Sequence, residues 1–418
     1  MGGNAGIWLI SALSVAGVIF RPFRWPEWIF AAVGAVLLVA LGLISPRDGI
    51  AGVRSGLDVY LFLAGMMLLA EIARREGLFD TLAALAAKRA DGSPERLFVL
   101  IYLVATLVTV FLSNDATAVV MTPAVAAVAR AARAPDAVPY LLVCAFVANA
   151  ASFVLPISNP ANLVVFGEHL PHLGEWLARF LLPSVLSIAA TFACLRWSQQ
   201  GALQGRLGEA VTVPPLSHGG RVAAIGLCVA ALVLVVASSL GFELGWPTLL
   251  AALGTLALTS IAERRAPWGP LGGVSWDTLV LVAGLFVIVR ALELSGVQDA
   301  LAQAFQGPLN AAPRIGSLAI GTALAILTNL TNNLPLGLLA GAFAQGVELP
   351  QRVVDAILVG VDIGPNLSVT GSLATILWLT ALRREGIEFG AWRFLKLGFL
   401  VMPPALVLAL LAVAFQPW

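Results

Sequence analysis

Charge is what this 418-residue chain has least of. Only 11% of its residues are charged and 59% are hydrophobic, against about 25% charged in ordinary soluble domains, and its mean hydropathy is +0.93. A soluble fold of this size cannot hide that much apolar surface. A cytosolic enzyme, a nucleic-acid binder and a disordered chain are therefore excluded, and a polytopic membrane protein is left. The net charge of +1 gives no bulk attraction to nucleic acid. Cysteine is scarce too: Cys144, Cys194 and Cys228 all lie in apolar runs without a CxxC or Cys/His cluster, so they read as small buried hydrophobes and not as a zinc site or disulfide framework. Of three histidines, His169 and His172 are three apart and could pair on a helix, but with no carboxylate partner they read as solvated, as does His218. No Gly-x-Ser-x-Gly elbow, HExxH pair or paired-Asp helix motif occurs, so neither an enzyme nor a cofactor is expected. The start, MGGNAGIWLI, lacks a basic n-region and a cleavage site and reads as a retained helix; Gly6 stands where a myristoylation signal needs Ser or Thr.

What is present is a series of apolar runs near the 20 residues that span a bilayer. Spans are expected at 6–20, 28–44, 56–73, 138–157, 176–196, 221–240, 246–262, 275–292, 351–364 continuing to 383, and 391–414. Stretches 97–133 and 315–348 are each broken by polar residues, and 197–220 is the one long linker. The short amphipathic segments 78–90 and 297–307 read as interfacial helices.

The linker divides two related halves. LDVYLFLAGMMLLAEIARREGLFD (57–80) matches WDTLVLVAGLFVIVRALELSGVQD (276–299) at an offset of 219 residues, aligning Asp58 with Asp277, Gly65 with Gly284, Gly77 with Gly296 and Asp80 with Asp299. Trp25-Pro26 aligns with Trp246-Pro247 at an offset of 221, and Ser113-Asn114-Asp115 with Thr331-Asn332-Asn333 at 218. The expected domains are a first repeat, 1–196, with hairpin 97–133 and broken helix 138–170; a cytoplasmic linker, 197–220; and a second repeat, 221–418, with hairpin 315–348 and broken helix 351–383.

Each half has five spans, an odd number that turns the second upside down relative to the first. This is the inverted-repeat plan of secondary transporters, whose site lies near the midplane. With both broken stretches as re-entrant hairpins, 18 of the 24 basic residues, Arg24 among them, fall on one side; Arg47, Arg54, Arg179, Arg290, Arg314 and Arg352 fall opposite. The richer side is then cytoplasmic, with both termini outside. The fold class is thus an all-α polytopic membrane protein, an inverted repeat of two five-helix halves, each with a re-entrant hairpin and an unwound helix.

Four polar breaks lie at membrane depth: FLSNDATAVVMTP (111–123), LPISNPANLVVFG (155–167), TNLTNNLPLGLLAG (328–341) and VDIGPNLSVTGSLATILWL (361–379). Polar backbone is tolerated there only when buried in protein or lining a wet cavity. Free helix ends with Asn, Ser and Thr side chains suit a small hydroxylated or oxyanionic solute. Helix capping in a packed bundle is the other reading of any one break; four in symmetric places favour a transport site. Asp115 and Asp362 belong to these breaks and are candidate proton or Na⁺ carriers, with a local cap or salt bridge as the alternative. Asp115 aligns with Asn333, so symmetry does not demand its charge. Asp58 and Asp277 read as helix caps, and Glu71, Arg290 and Glu293 as snorkelling residues near span ends.

SNDATAVVMTP, ISNPAN, TNNLP and above all GVDIGPNLSVTGSLATILWL resemble the arsenite/antimonite permeases of the ion-transporter superfamily over nearly the whole chain. The resemblance implies efflux of trivalent arsenic or antimony driven by inward proton movement across a bacterial or archaeal cytoplasmic membrane. It implies as partners a cytosolic ATPase subunit and a second copy of the chain meeting at the outer spans. It places Ser113, Asn114, Asp115 and Thr117 at the first hairpin tip, and Asn149, Ser158, Asn159 and Asn162 on the first unwound helix. Asn332 and Asn333 fall at the second tip, and Thr370, Ser372 and Thr375 on the second unwound helix, with Asp115 and Asp362 taking the proton. The hairpins with broken helices 149–166 and 361–379 would move as an elevator or rocking unit against a scaffold of outer spans. No cysteine lies in the four breaks, so capture of arsenic by thiols is not expected. Rivals are a Na⁺/H⁺ antiporter of the same fold and an exporter of silicic or boric acid. A carboxylate symporter fits less well, because Asp115 puts a negative charge at a hairpin tip.

Overall fold

The computed structural model describes residues 2–22, 25–208 and 212–417. Arg24, counted above on the basic side, and residues 209–211 of the linker lie outside the described residues. The first half runs α1 (Gly2–Phe20), α2 (Glu27–Ala40), α3 (Pro46–Ser55), α4 (Leu57–Arg75), α5 (Leu78–Ala90), α6 (Pro94–Phe111), a π-helical turn (Ala116–Met121), α7 (Thr122–Ala131), α8 (Val138–Ala150), α9 (Pro160–Phe166) and α10 (Leu173–Gln199). The second runs α11 (His218–Ser239), α12 (Gly245–Glu263), α13 (Trp268–Gly273), α14 (Trp276–Leu294), α15 (Val297–Ala311), α16 (Pro313–Thr331), α17 (Asn333–Gly346), α18 (Gln351–Ile363), α19 (Leu373–Arg384) and α20 (Ala391–Phe415). The order of the first half recurs helix by helix, α1 with α11 through α10 with α20.

The caps explain many of the boundaries. Ser45 accepts from Asp48 N (3.2 Å) with Pro46 opening α3, Ser93 accepts from Arg96 N (3.2 Å) with Pro94 opening α6, and Ser217 accepts from Gly220 N (2.8 Å) at α11; each satisfies a free helix-end donor. The short helices α3 and α13 are not anticipated by hydropathy, because both are polar or glycine-rich. Asp58 has a different partner from the one its position suggests: its Oδ1 accepts from Gly245 N (2.6 Å), so it caps α12 and not its own helix.

Six described helices, α6, α10, α11, α12, α16 and α20, are long and apolar enough to cross a membrane, and the pair α3–α4, bent by 46°, makes a seventh. The ten expected spans are more numerous because several are short, charged or broken. At 1.5 Å per residue α2 reaches only about 21 Å; α4 carries Asp58, Glu71, Arg74 and Arg75; α8 and α18 stop halfway. Burial separates periphery from centre. All 13 residues of α8 are buried, whereas α11 leaves Ile225, Val229, Leu232 and Val236 exposed on the outer surface.

The helices pack as two groups. In the first, α4 lies on α12 and α14 on α2, with α1, α3, α11 and α13 around them. In the second, the hairpins α6–α7 and α16–α17 and the broken helices α8–α9 and α18–α19 pack with α5, α10, α15 and α20. The outer helices α10 and α20 thus belong with the hairpins and not with the remaining outer spans. The first group closes through reciprocal glycines. A Cβ on Gly65 would sit 2.8 Å from the Thr248 backbone, and one on its repeat mate Gly284 2.7 Å from the Ala31 backbone. Among the described residues, Arg130–Glu385 (2.6 Å) and the buried Arg179–Asp355 pair (Nε to Oδ1 2.9 Å) tie the second group together. The linker is stapled at both ends, Leu207 N to Gly92 O (2.9 Å) and Gly208 N to Ala132 O (2.8 Å) in the second group, and Ser217 Oγ to Glu76 (3.3 Å) in the first.

Candidate functional site

Both hairpin tips are built by side chains that cap the reversing backbone. In the first, Ser113 Oγ accepts from Ala116 N (3.1 Å) and Asn114 Oδ1 from Asp115 N (2.9 Å). Behind the tip, Thr117 and Thr109 share a hydroxyl hydrogen bond of 2.8 Å. In the second, Asn332 adopts φ 71°, ψ 151°, a region kept almost entirely for glycine and costing about 1–3 kcal/mol. Its N donates to Thr328 O (2.7 Å) and its Oδ1 accepts from Leu334 N (3.4 Å).

The two broken helices restart in the same way. Asn159 (φ −152°, ψ 133°) and Ser372 (φ −144°, ψ 145°) are extended caps, accepting from Ala161 N (3.1 Å) and Ala374 N (3.2 Å). Each unwound segment is tied to the hairpin of its own half. Ser158 Oγ donates to Val110 O (2.9 Å). Asn329 Nδ2 donates to Gly364 O (3.0 Å) and its Oδ1 accepts from Ser368 N (3.0 Å), while Thr370 Oγ1 donates to Asn329 O (2.8 Å). Asn162 Nδ2 donates to Ser152 O (2.9 Å) and Leu155 O (3.1 Å), holding the first break open.

A buried network joins the two breaks. Asn149 Nδ2 donates to Asn366 Oδ1 and Asn366 Nδ2 to Phe146 O, both at 3.0 Å. Asp362, wholly buried, lies 2.9 Å from Asn159 Nδ2 and 2.7 Å from Ser152 Oγ. Ser152 Oγ is also 2.7 Å from Asn149 O. Asn162 Oδ1, Asn149 Oδ1 and Thr375 Oγ1 are buried without a hydrogen-bond partner, which is uncommon in a finished core.

A cavity of about 40 Å³ lies on the seam between the two groups, room for about three water-sized groups. Asn114 and Asp115 from one tip, Asn332 and Asn333 from the other, and the caps Asn159 and Ser372 form its polar side; Val18, Glu27, Leu63, Thr278 and Leu281 of the first group face them. Six sequence candidates thus meet at one cavity. Ser113, Thr117, Asn149, Ser158, Asn162, Thr370 and Thr375 do not line it, and neither does Asp362, which reaches it only through Asn159. Glu27 and Thr278 on the facing wall, and Ser152, Asn329 and Asn366 in the supporting network, were missed. The Glu27 signal was available: it follows Trp25-Pro26 where the second half has Thr248 after Trp246-Pro247.

Comparison with known proteins gives this arrangement a family. Residues 15–360 match the family described as citrate transporter. The chain is 28% identical over 428 residues to an uncharacterized transporter of Mycobacterium tuberculosis (strain ATCC 25618 / H37Rv), covering 96% of each. It is 26% identical over 430 residues to the arsenical pump membrane protein of Escherichia coli (strain K12), covering 97% of each, as the resemblance to arsenite permeases leads one to expect. Its fold is similar to that of the YdaH transporter of Alcanivorax borkumensis (TM-score 0.62, 15% identity, 88% of this chain and 87% of that one). It is also similar to MtrF of Neisseria gonorrhoeae (TM-score 0.53, 12% identity, 91% and 84%). The chain belongs to the citrate-transporter family and is a multi-pass membrane transporter, not an enzyme.

Proposed function

We propose that the protein is a secondary active transporter that exports trivalent arsenic or antimony, as a neutral hydroxylated acid, in exchange for protons. The observation that carries this is the seam cavity, where both hairpin tips and both broken-helix caps converge from one packing group upon the other. Arsenous acid offers three hydroxyls, each donor and acceptor, and the Asn and Ser side chains of the polar side complement both roles. A tricarboxylate is a poor fit, since the cavity is small and lined by Asp115 and Glu27. The E. coli relative's name supports an arsenical over citrate as cargo.

Protons enter the reading through Asp115 and Asp362. The Ser152 hydroxyl has one hydrogen for two neighbouring acceptors, Asn149 O and Asp362; the set is satisfied when Asp362 carries a proton and donates to Ser152. Asn159, bonded to Asp362 and lining the cavity, then links the buried proton to the solute. The halves would be inverted, with both termini outside, the hairpins re-entrant and the linker cytoplasmic. Reciprocal packing of α4 on α12 and α14 on α2 supports a two-fold relation. Glu71–Arg74 and the equivalent Arg290–Glu293 are the same ion pair with the charges exchanged, which accords with equivalent helix ends on opposite membrane faces. Transport would carry the hairpin group along the wall formed by α1–α4 and α11–α14.

Everted vesicles provide the test. Asp115→Asn lowers arsenite uptake driven by a pH gradient at least about ten-fold while the protein still inserts. Full uptake by that variant removes Asp115 from the mechanism. Uptake of Na⁺ alone replaces the arsenite reading with a Na⁺/H⁺ antiporter.

A further inference from the structure

Glu27 faces the hairpin tips across the cavity and takes no part in proton transfer in the reading above. It opens α2, its side chain is 10% exposed, and it pairs with Arg21, which is about a third exposed at the turn after α1. Across the seam Asp115 is the other carboxylate lining the cavity. The helices packed on α2 bring few further charges. The cavity residues from α1 and α14 are Val18, Thr278 and Leu281; Asp277 is exposed at the start of α14; Asp48 of α3 is directed to Arg290. Asp362 lies behind Asn159, and Arg24 lies outside the described residues.

A glutamate in the first turn of a helix complements the helix dipole, and the Arg21 pair latches the α1–α2 turn. Those roles do not require the carboxylate to face a cavity, and the second half closes without one. There Thr248 donates its hydroxyl to Leu244 O (2.5 Å) and packs against Gly65.

We propose that Glu27 is the wall-borne coupling residue, whose repulsion of Asp115 keeps the empty, deprotonated hairpin group from settling against the wall. Two like charges facing one small cavity disfavour each other's ionised form. Glu27 has Arg21 as its ion-pair partner, and the exchanged proton is assigned to Asp115 as in the proton-exchange reading. Two forms then close: the protonated one, and the solute-loaded one in which hydroxyls of a neutral acid donate to both carboxylates. The form excluded is the one whose movement would leak protons or dissipate the solute gradient. This rests on the proton-exchange reading and assigns its coupling to a residue on the stationary side.

The test uses the full chain in proteoliposomes, with Cys144, Cys194 and Cys228 replaced by Ala and the pair Val18→Cys and Leu334→Cys placed across the seam. A short bis-methanethiosulfonate reports closure without any solute. With Glu27 present, cross-linking falls about five-fold or more between about pH 5.5 and about pH 8.5, against the rise in thiol reactivity with pH. Glu27→Gln keeps the yield high throughout, and so does Asp115→Asn in the Glu27 background, which covers the case of a misfolded Glu27→Gln chain. Because arsenite binds paired thiols, the solute is tested apart, by pH-gradient-driven arsenite uptake into proteoliposomes of the chain with Glu27 and Asp115 and without the two engineered cysteines. A pH-independent yield in the Glu27 protein, or an unchanged pH dependence in either variant, overturns the proposal. Absence of that arsenite uptake alone leaves the coupling role standing and overturns the solute instead.

Discussion

Asn159 and Ser372 cap the two restarted helices with nearly the same backbone angles, yet ten residues before them the first half has Asn149 and the second Asp362. The hairpin tips differ in the opposite sense, Asp115 in the first half and Asn333 in the second. The entry to the second helix differs again, Glu27 against Thr248. The backbone is thus used twice with matched caps, while each ionisable group near the cavity occurs once. A packed fold needs the caps, because free helix ends must be satisfied; it does not need the charges. Comparison of the halves therefore separates what closes the fold from what carries chemistry.

The widest gap between equivalent positions is expected at the buried network. Asp362→Ala leaves the buried Asn159 amide without its acceptor, about 1–3 kcal/mol, and also removes the Asp362–Ser152 bond, about 1 kcal/mol more. Asn149→Ala leaves one buried acceptor, Asn366 Oδ1, without its donor, about 1–3 kcal/mol, with no second bond lost. Thermal unfolding in detergent should show Asp362→Ala clearly the less stable, and equal losses break the comparison. Where the halves are alike, the effects should match. Gly65→Ala and Gly284→Ala each push a methyl against facing backbone, costing about 1–3 kcal/mol; a difference beyond about 2 kcal/mol contradicts reciprocal packing. The smallest effects belong to the exchanged ion pairs. Arg74 is about half exposed, so Arg74→Gln and Glu293→Gln should each cost less than about 1 kcal/mol, and a larger loss on one side alone gives that pair a structural duty its twin lacks.

Much of the fold could be read before the structure, because a repeat announces itself through rigid residues. Trp-Pro pairs, the Ala-Gly of α4 and α14 and one asparagine at each tip, Asn114 and Asn332, keep their identity in both halves. α5 falls at 78–90 as its pattern indicates. The polar candidates were found because Asn and Ser stand out in apolar runs. Their division into cavity lining and supporting network depends on side-chain direction at unwound backbone, which no periodicity encodes; Asn162 and Asn159 are three residues apart and serve different ends. The facing wall was hardest to read. Glu27 looks like an ordinary first-turn glutamate, and Leu63 and Leu281 like any apolar helix residues; only the packing of α2, α4 and α14 against the hairpin group brings them to one cavity.

The central claim is that solute sits on the seam between the hairpin tips. Crystals grown with antimonite and measured at the antimony edge test it most directly. The account predicts one anomalous peak within hydrogen-bonding reach of Asn114, Asn159, Asn332 and Ser372. A peak elsewhere in the protein, or citrate density in that cavity with no antimony bound, would contradict it.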